Sequence, residues 1–141
     1  MSVTGGDLRA RDAMVTEPLS LDGSATAQEA GEAMVRPEVR AVFVLEEGRL
    51  LGVITRKTLV REVVATGRDP RATRVGDIAE EPVATIESDM LLTEAFHMLE
   101  ERDLERVPVV DNGNLVGVLS RGMVQRRLAE DEPPPEPDGE S

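Results

Sequence analysis

Two stretches of sequence decide the fold: VFVLEEGRLLGVITRKTLV at residues 42–60 and VPVVDNGNLVGVLSRGMVQ at residues 107–125. They align without a gap at an offset of 65 residues, the difference between their first positions, 42 and 107. Each stretch contains an apolar run, a turn with glycine, a second apolar run and the start of a helical pattern. A period of this length is too long for the common solenoid repeats and is typical of a duplicated small domain.

Each repeat predicts a β-hairpin followed by a helix. The apolar runs at 41–45 and 50–54 flank the turn EEG, and the runs at 107–110 and 115–119 flank the turn DNG. Short β-branched runs around a glycine turn are typical of hairpins. The residues that mark the buried face of the following helices are Leu59, Val60, Val63 and Val64 in the first repeat and Val124, Leu128 and Ala129 in the second.

A helix is also predicted ahead of each hairpin. In the first repeat, Thr26 and Glu29 have the spacing of a capping box in front of Ala27, Ala30 and Met34. In the second repeat, one apolar stripe with helical spacing consists of Leu91, Leu92, Ala95, Phe96 and Leu99. Short strands at 19–21 and 83–86 complete the units, so that both have the order β-α-β-β-α.

The predicted fold class is therefore α+β, with two tandem β-α-β-β-α units. Since the chain has two Phe and no Trp or Tyr, each unit has little apolar surface to bury alone. We expect the units to pack about a pseudo-twofold axis, share one core and leave a cleft between them. The apolar residues of the helices at 27–34 and 91–99 exceed what a three-stranded sheet covers, which predicts a homodimer.

The repeat divides the chain into five predicted segments. They are a flexible N-terminus at 1–11, the first repeat at 12–67, a linker at 68–75, the second repeat at 76–129 and a tail at 130–141. The tail, EDEPPPEPDGES, has six acids, four prolines and no base, so we expect it to be disordered.

Composition narrows the classes of function. The chain has 141 residues, 28 acids, 16 bases and a net charge of −12, half of which lies in the tail. The remaining −6 repels a polyphosphate backbone, so nucleic acid is not an expected partner. Because the chain has no Cys, a single His and no long apolar segment, we expect no zinc or other metal site, no membrane span and a cytoplasmic location.

Three motifs resemble the CBS domain, a family named after cystathionine β-synthase. They are RVPVVD at 106–111, an apolar strand that ends in an acid, and GVIT at 52–55 with GVLS at 117–120, which open a helix. The motifs occur in the same order in both repeats, and the resemblance covers almost the whole chain outside the tail. The resemblance implies a tandem pair that binds an adenosyl ligand, such as AMP, ADP, ATP or S-adenosylmethionine, in the cleft between the repeats. It also implies disc-like dimers of such pairs.

We place the candidate ligand-binding residues on the first strand and at the strand-to-helix junction of each repeat. These candidates are Leu19, Ser20, Leu21, Thr55, Arg56 and Thr58 in the first repeat, and Val83, Ala84, Thr85, Ser120, Arg121 and Met123 in the second. The junctions suit a phosphate. A hydroxyl and the unpaired backbone amides of the first helical turn can donate hydrogen bonds to it, and an arginine follows directly in the sequence. Thr55 and Ser120 are equally well explained as helix N-caps.

One position departs from the family pattern. Ligand-binding CBS domains commonly carry Asp three residues after the Thr or Ser, where it accepts both ribose hydroxyls, and this chain has Thr58 and Met123 there. Loss of a charged hydrogen bond weakens ribose binding about 10- to 100-fold. Since Thr58 still offers a hydroxyl and Met123 only a thioether, the sequence predicts a poorer site in the second repeat.

Three classes of function are compared. The hydroxyl and arginine at both junctions favour a regulatory sensor of an adenosyl ligand that signals to a separate, unidentified protein. The missing Asp favours a dimerising interaction module without nucleotide. An enzyme is not expected, because no nucleophile has a positioned base, no motif requires a cofactor, and His97 lies off the apolar stripe of its helix.

Overall fold

The computed structural model describes residues 7–131. Residues 1–6 and 132–141 lie outside the described residues, and with them lie most of the predicted flexible N-terminus and of the predicted disordered tail. Within residues 7–131, no helix is long and apolar enough to cross a membrane.

The predicted β-α-β-β-α order is confirmed in both repeats. The first repeat consists of β2 (Ser20–Asp22), α1 (Ala27–Ala33), β3 (Ala41–Glu46), β4 (Arg49–Thr55) and α2 (Arg56–Leu59), which continues as a π-helical segment at Val60–Val64. The second consists of β5 (Ile86–Glu87), α4 (Leu92–Glu101), β6 (Arg106–Asp111), β7 (Asn114–Ser120) and α5 (Arg121–Asp131). The leading elements are a 3₁₀ turn (Ala10–Asp12) and β1 (Val15–Thr16) before the first repeat, and α3 (Val75–Ile78) before the second.

The strands follow one path with two symmetric halves. Their order is β2-β3-β4-β7-β6-β5, with β1 beside β7. The two hairpins are joined where β4 pairs with β7, and the residues paired there are Arg49 and Asn114. Within each half, the register repeats at the offset of 65, since Leu21 lies beside Val44 and Ile86 beside Val109. The strands therefore form one sheet, made of two three-stranded halves that repeat the same register, with β1 added beside β7.

Both predicted hairpins are present with two-residue turns. The turn of the first hairpin has φ of 53° at Glu47 and 81° at Gly48, and that of the second has 53° at Asn112 and 87° at Gly113. Positive φ at both central residues defines the turn whose twist matches that of the flanking strands. The turn chemistry therefore fixes the register of each repeat.

The predicted capping box on α1 is confirmed. The Thr26 hydroxyl accepts from the Glu29 backbone amide at 3.2 Å, and the Glu29 carboxylate accepts from the Thr26 amide at 3.0 Å. The apolar residues on α1 and α4 are covered by the cores of this chain, namely Ala27, Ala30, Met34, Leu92, Ala95 and Leu99. Leu91 and Phe96 of the predicted stripe are only half-buried. The homodimer stays a prediction.

Each of the two cores is completed by a segment from the other half of the chain. Leu8 and Ala10, which precede the first repeat, are buried in the core of α4, β6 and β7. Val75 and Ile78, from α3 before the second repeat, are buried in the core of α1, β3 and β4. Neither repeat therefore contains its whole core within its own stretch of sequence.

Backbone hydrogen bonds hold both exchanged segments, and they repeat at the same offset of 65. The Leu8 carbonyl accepts from the Leu92 amide at 2.8 Å, and the Thr73 carbonyl accepts from the Ala27 amide at 2.8 Å. Residues 7–11 and 68–75 were predicted as a flexible terminus and a linker, but the structure pairs both segments with the start of a helix. The partners of these segments are far away in sequence, which local patterns do not show.

Three smaller differences concern the ends of elements. The predicted strand at 83–86 begins only at Ile86, and Val83 is exposed. Val60 and Val64 were expected on a buried face but are exposed, because the π-helical bond from the Ala65 amide to the Val60 carbonyl widens the turn. At the corresponding helix of the second repeat, Val124 is buried and Ala129 is exposed.

The exchanged segments give the first testable prediction. Leu8→Ala should lower the free energy of unfolding by about 2–5 kcal/mol, because Leu8 is 1% exposed and its truncation leaves a cavity in the second core. Urea denaturation followed by circular dichroism measures this change. Leu51→Ala, the same truncation at a residue that is 41% exposed and lies outside the cleft between the repeats, is the matched control and should cost clearly less, about 1 kcal/mol. Equal stabilities of both variants would contradict the exchange.

Candidate functional site

A cleft lies between the two repeats, as predicted. Its volume is about 530 Å³, within the range of small-molecule sites, and both repeats contribute to its walls. The polar residues in the lining are Glu38, Arg40, Arg106 and Ser120, and the other lining residues are apolar. Such a surface suits a flat apolar ring that carries a few polar groups at its edge.

The cleft brings together five of the twelve candidate residues. Those that line it are Leu19, Val83, Ala84, Ser120 and Met123. Ser20, Leu21, Thr55, Arg56, Thr58, Thr85 and Arg121 do not line it. Ser20 and Leu21 belong to β2 and pair with β3, while Thr85 is exposed just before β5. The second repeat therefore contributes most of the candidate residues that reach the cleft.

The junction of the first repeat is closed by its own hydrogen bonds. Thr58 is 0% exposed, and its hydroxyl accepts from the Thr55 amide at 3.1 Å and donates to the Glu80 carboxylate at 3.2 Å. The Thr55 hydroxyl accepts from the Thr58 amide and so caps α2. Glu80 is also paired with Arg61. These contacts leave the Thr58 hydroxyl enclosed within the protein, so it is not placed to meet a ribose in the cleft.

The basic residues at both junctions have partners inside the protein. The Arg56 guanidinium donates to the backbone carbonyls of Met34 and Arg36 at 2.7 and 3.0 Å. These carbonyls lie just beyond α1, so Arg56 satisfies the end of that helix. Arg121 is paired with Asp103 and Glu105. A phosphate at either junction would have to compete with these contacts.

The junction of the second repeat is open. The Ser120 hydroxyl accepts from the Met123 amide at 3.3 Å, which makes Ser120 a helix cap, and Ser120 also lines the cleft. Met123 occupies the position equivalent to Thr58, but it is 38% exposed and forms part of the wall. The sequence predicted the poorer site in the second repeat, whereas in the structure this repeat has the accessible junction.

The exchanged segments cause the difference between the two junctions. Glu80 follows α3 and pairs with Val53 of β4, and Val15 pairs with the equivalent Val118 of β7. At the first junction, the segment that pairs with β4 thus supplies the Glu80 carboxylate, which accepts a hydrogen bond from Thr58. At the second junction it supplies Val15, an apolar side chain that lines the cleft. The same backbone geometry therefore gives one polar, closed junction and one apolar, open junction.

The charged residues of the cleft are mainly basic. Glu38 is paired with Arg36, and hydrogen bonds from its own backbone amide and from Arg36 hold the pKa of Glu38 below its usual value. Arg40 and Arg106 have no side-chain hydrogen bond or ion pair with any residue in 7–131. Because the body of the chain carries −6, two unpaired arginines in one cleft are a local reversal of charge.

Arg40 and Arg106, which give the cleft its charge, are not among the predicted site residues. Arg106 is the cross-strand partner of Ser120, so both side chains leave the same face of the sheet. Arg40 directly precedes β3. The strand pairing of the second hairpin, worked out from its turn, would have placed Arg106 beside the Ser120 candidate. No sequence pattern near Arg40 indicates that it lines the cleft.

The model of one protein family matches both repeats. The CBS domain model matches residues 10–65 and 75–130. The chain therefore belongs to the CBS-domain family and contains two CBS domains in tandem. Tandem CBS domains are commonly regulatory modules that bind ligands.

Several known proteins are similar over most of the chain. The CBS domain-containing protein YhcV of Bacillus subtilis is 30% identical over 79% of each chain. Hypoxic response protein 1 of Mycobacterium tuberculosis is 26% identical over 86% of this chain and 85% of that protein. An uncharacterised protein of Methanopyrus kandleri is 32% identical, and the match spans 84% of this chain but only 59% of that relative. None of these three relatives is named as an enzyme.

Solved structures support the same architecture. Hypoxic response protein I with two coordinated zinc ions has a TM-score of 0.73 and 25% identity, over 86% of this chain and 99% of that chain. A hexameric CBS-CP12 protein from bloom-forming cyanobacteria has a TM-score of 0.61 at 24% identity, over 84% of this chain and 66% of that chain, and shows the fold alone. Among residues 7–131 of this chain, no three His, Cys, Asp or Glu side chains are grouped to hold a metal ion.

The closed junction gives a second prediction. Thr58→Val should lower the free energy of unfolding by about 1–3 kcal/mol, because the Thr55 amide and the Glu80 carboxylate lose a buried partner without a change in side-chain size. Thermal unfolding by calorimetry measures it. The control is Thr93→Val, an exposed helical position that should change stability by less than about 0.5 kcal/mol. A Thr58 hydroxyl that faced the cleft would leave both variants as stable as the unmodified protein.

Proposed function

We propose that this chain is a regulatory module that binds an adenosyl ligand in the cleft between its CBS domains and signals to a separate protein. The observation that carries the proposal is the cleft itself, which has the volume of a small-molecule site and walls from both repeats. AMP, ADP, ATP and S-adenosylmethionine are the candidate ligands, as the family resemblance implies. The protein is proposed to bind without catalysis and to need no cofactor.

Apolar walls from both repeats would hold the adenine ring. Leu19 and Phe43 belong to the first repeat, and Val83, Pro108 and Val118 belong to the second. Exposed apolar side chains such as Val83, which is 73% exposed, lose contact with water when a ring covers them. A ligand that touches both repeats would restrict their relative motion, and this change is the signal that a partner protein would detect.

The proposal is tested by thermal unfolding in the presence of AMP, ADP, ATP, S-adenosylmethionine and NAD. A ligand that binds only the folded state stabilises it by RT ln(1 + [L]/Kd), about 2.7 kcal/mol when its concentration is 100 times Kd. We expect at least one adenosyl ligand to raise the melting temperature in proportion to the logarithm of its concentration. If none does so at millimolar concentration, the sensor is ruled out.

A dimerising interaction module is the second candidate function, and a specific surface favours it. Val35, Val60 and Val64 are 79%, 57% and 72% exposed. Val35 and Val64 line one groove together with Ala27, Leu59 and Val63, on the helical side of the first repeat. A second copy of the chain would cover this groove, and such a homodimer is compatible with ligand binding in the cleft.

The open junction predicts a gain of affinity in one variant. Met123→Asp should tighten binding of an adenosyl ligand about 10- to 100-fold, because it places a carboxylate for the ribose hydroxyls on the accessible wall. Thr58→Asp is the matched comparison and should not tighten binding, since Thr58 is buried away from the cleft. Titration calorimetry on both variants distinguishes the two positions. Tighter binding by Thr58→Asp alone would show that the first junction holds the ligand.

The groove predicts the effect of charge on self-association. A double variant, Val35→Glu with Val64→Glu, should be monomeric, because two carboxylates would be desolvated and brought close to their copies in a dimer. Light scattering at high micromolar concentration measures the mass. Val83→Glu, a similarly exposed position in the cleft, is the control and should associate like the unmodified protein. A monomeric unmodified chain would remove the second candidate.

A further inference from the structure

We propose that the cleft selects an anionic ligand, a nucleoside di- or triphosphate, and that Arg40 and Arg106 bind its phosphates from opposite repeats. This inference rests on the proposed function, because it assumes that an adenosyl ligand occupies the cleft. It adds the charge class of the ligand and two specificity-determining residues. Neither residue belongs to the strand-to-helix junctions where the sequence suggested a phosphate site.

The two arginines of the cleft have no competing partners within residues 7–131. Arg40 and Arg106 line the cleft and have no side-chain hydrogen bond or ion pair within residues 7–131. By contrast, the junction arginines Arg56 and Arg121 are held by backbone carbonyls and by carboxylates. Phosphate oxygens are the acceptors that a guanidinium binds most strongly, often with two parallel hydrogen bonds. The two free arginines are therefore the groups best placed to receive phosphates.

The charged side chains that line the cleft are one carboxylate and two guanidinium groups. Its one carboxylate, Glu38, is paired with Arg36, so it offsets little of the positive charge of Arg40 and Arg106. Both arginines are exposed, so a ligand can reach them, and added salt weakens the field that they create in the cleft. S-adenosylmethionine carries a sulfonium cation and would be repelled by this field. The cleft therefore favours phosphates over a sulfonium.

The two arginines belong to different repeats, and both line the cleft. Arg106 lies across from Ser120 in the β6–β7 ladder, so its guanidinium and the Ser120 hydroxyl lie on the same face of the sheet. Arg40 lies just before β3 on the wall of the first repeat. The equivalent positions at the offset of 65 are Glu105 and Ala41, so the duplication alone does not account for this pair. A chain of two or three phosphates could contact both repeats at once.

Titration calorimetry with four probes tests this inference: ATP, adenosine, S-adenosylmethionine and inorganic tripolyphosphate. We expect ATP to bind at least about tenfold more tightly than adenosine or S-adenosylmethionine, and its affinity to fall with added salt. Arg106→Gln and Arg40→Gln should each weaken ATP binding about tenfold and leave adenosine binding unchanged. Arg71→Gln removes the same charge from an exposed position outside the cleft and should change neither affinity.

The probes separate the failure of this inference from the failure of the proposed function. If adenosine binds as tightly as ATP and both cleft variants bind ATP normally, the phosphate role is overturned while the adenosyl site stands. If tripolyphosphate binds and the cleft variants lose it, but no adenosyl ligand competes, the phosphate role stands and the adenosyl site is overturned. If no probe binds, both are overturned. Circular dichroism and melting temperatures of the three variants verify that each is folded.

Discussion

The structure depends on the reciprocal exchange of two short segments between the repeats. Leu8 and Ala10 complete the second core, and Val75 and Ile78 complete the first. Each small repeat has one Phe and no Trp or Tyr, and burial of apolar residues from both halves compensates for this shortage of large side chains. Because each core needs the other half of the chain, the exchange limits how the two repeats can lie relative to each other, and their arrangement defines the cleft.

The exchange also explains why the repeated motifs GVIT (52–55) and GVLS (117–120) both begin with glycine. A Cβ on Gly52 would lie 2.8 Å from the Ala79 Cβ, and a Cβ on Gly117 would lie 2.6 Å from the Met14 sulfur. Only glycine at these two positions allows the segments around Ala79 and Met14 to approach β4 and β7 this closely. The next residue after Ala79 is Glu80, which lies at the first junction, and the next residue after Met14 is Val15, which lies at the second. The constraint that closes the core therefore also determines which junction is open to a ligand.

The fold could largely be predicted from the sequence because its signals are local and occur twice. The hairpin turns, the capping box of Thr26 and Glu29, and the α4 stripe each depend on residues within a few positions of one another. The exchange was not predicted, although RARDAM at 9–14 and RVGDIA at 74–79 repeat an Arg and an Asp at the offset of 65. These segments are too short and too polar for periodicity to indicate burial.

The site could be predicted only in part, for a similar reason. Ser120 and Met123 line the cleft, as the motif suggested, but the burial of Thr58 depends on Glu80, which is 22 residues away. No pattern within the first repeat indicates that contact. Likewise, the free side chains of Arg40 and Arg106 depend on which of the surrounding carboxylates pair with other bases. The accessibility of these groups is a tertiary property, and the sequence shows only their identity.

Hydrogen exchange measured with and without ATP tests the central claim most directly, because it reports where a ligand contacts the folded chain. We expect slower exchange at 104–108 and 118–123, with a smaller effect at 39–43, and no change at 55–58. Slower exchange centred on Thr55 to Thr58, or confined to the helical groove around Val35 and Val64, would contradict it. So would identical exchange over the whole chain at saturating ATP.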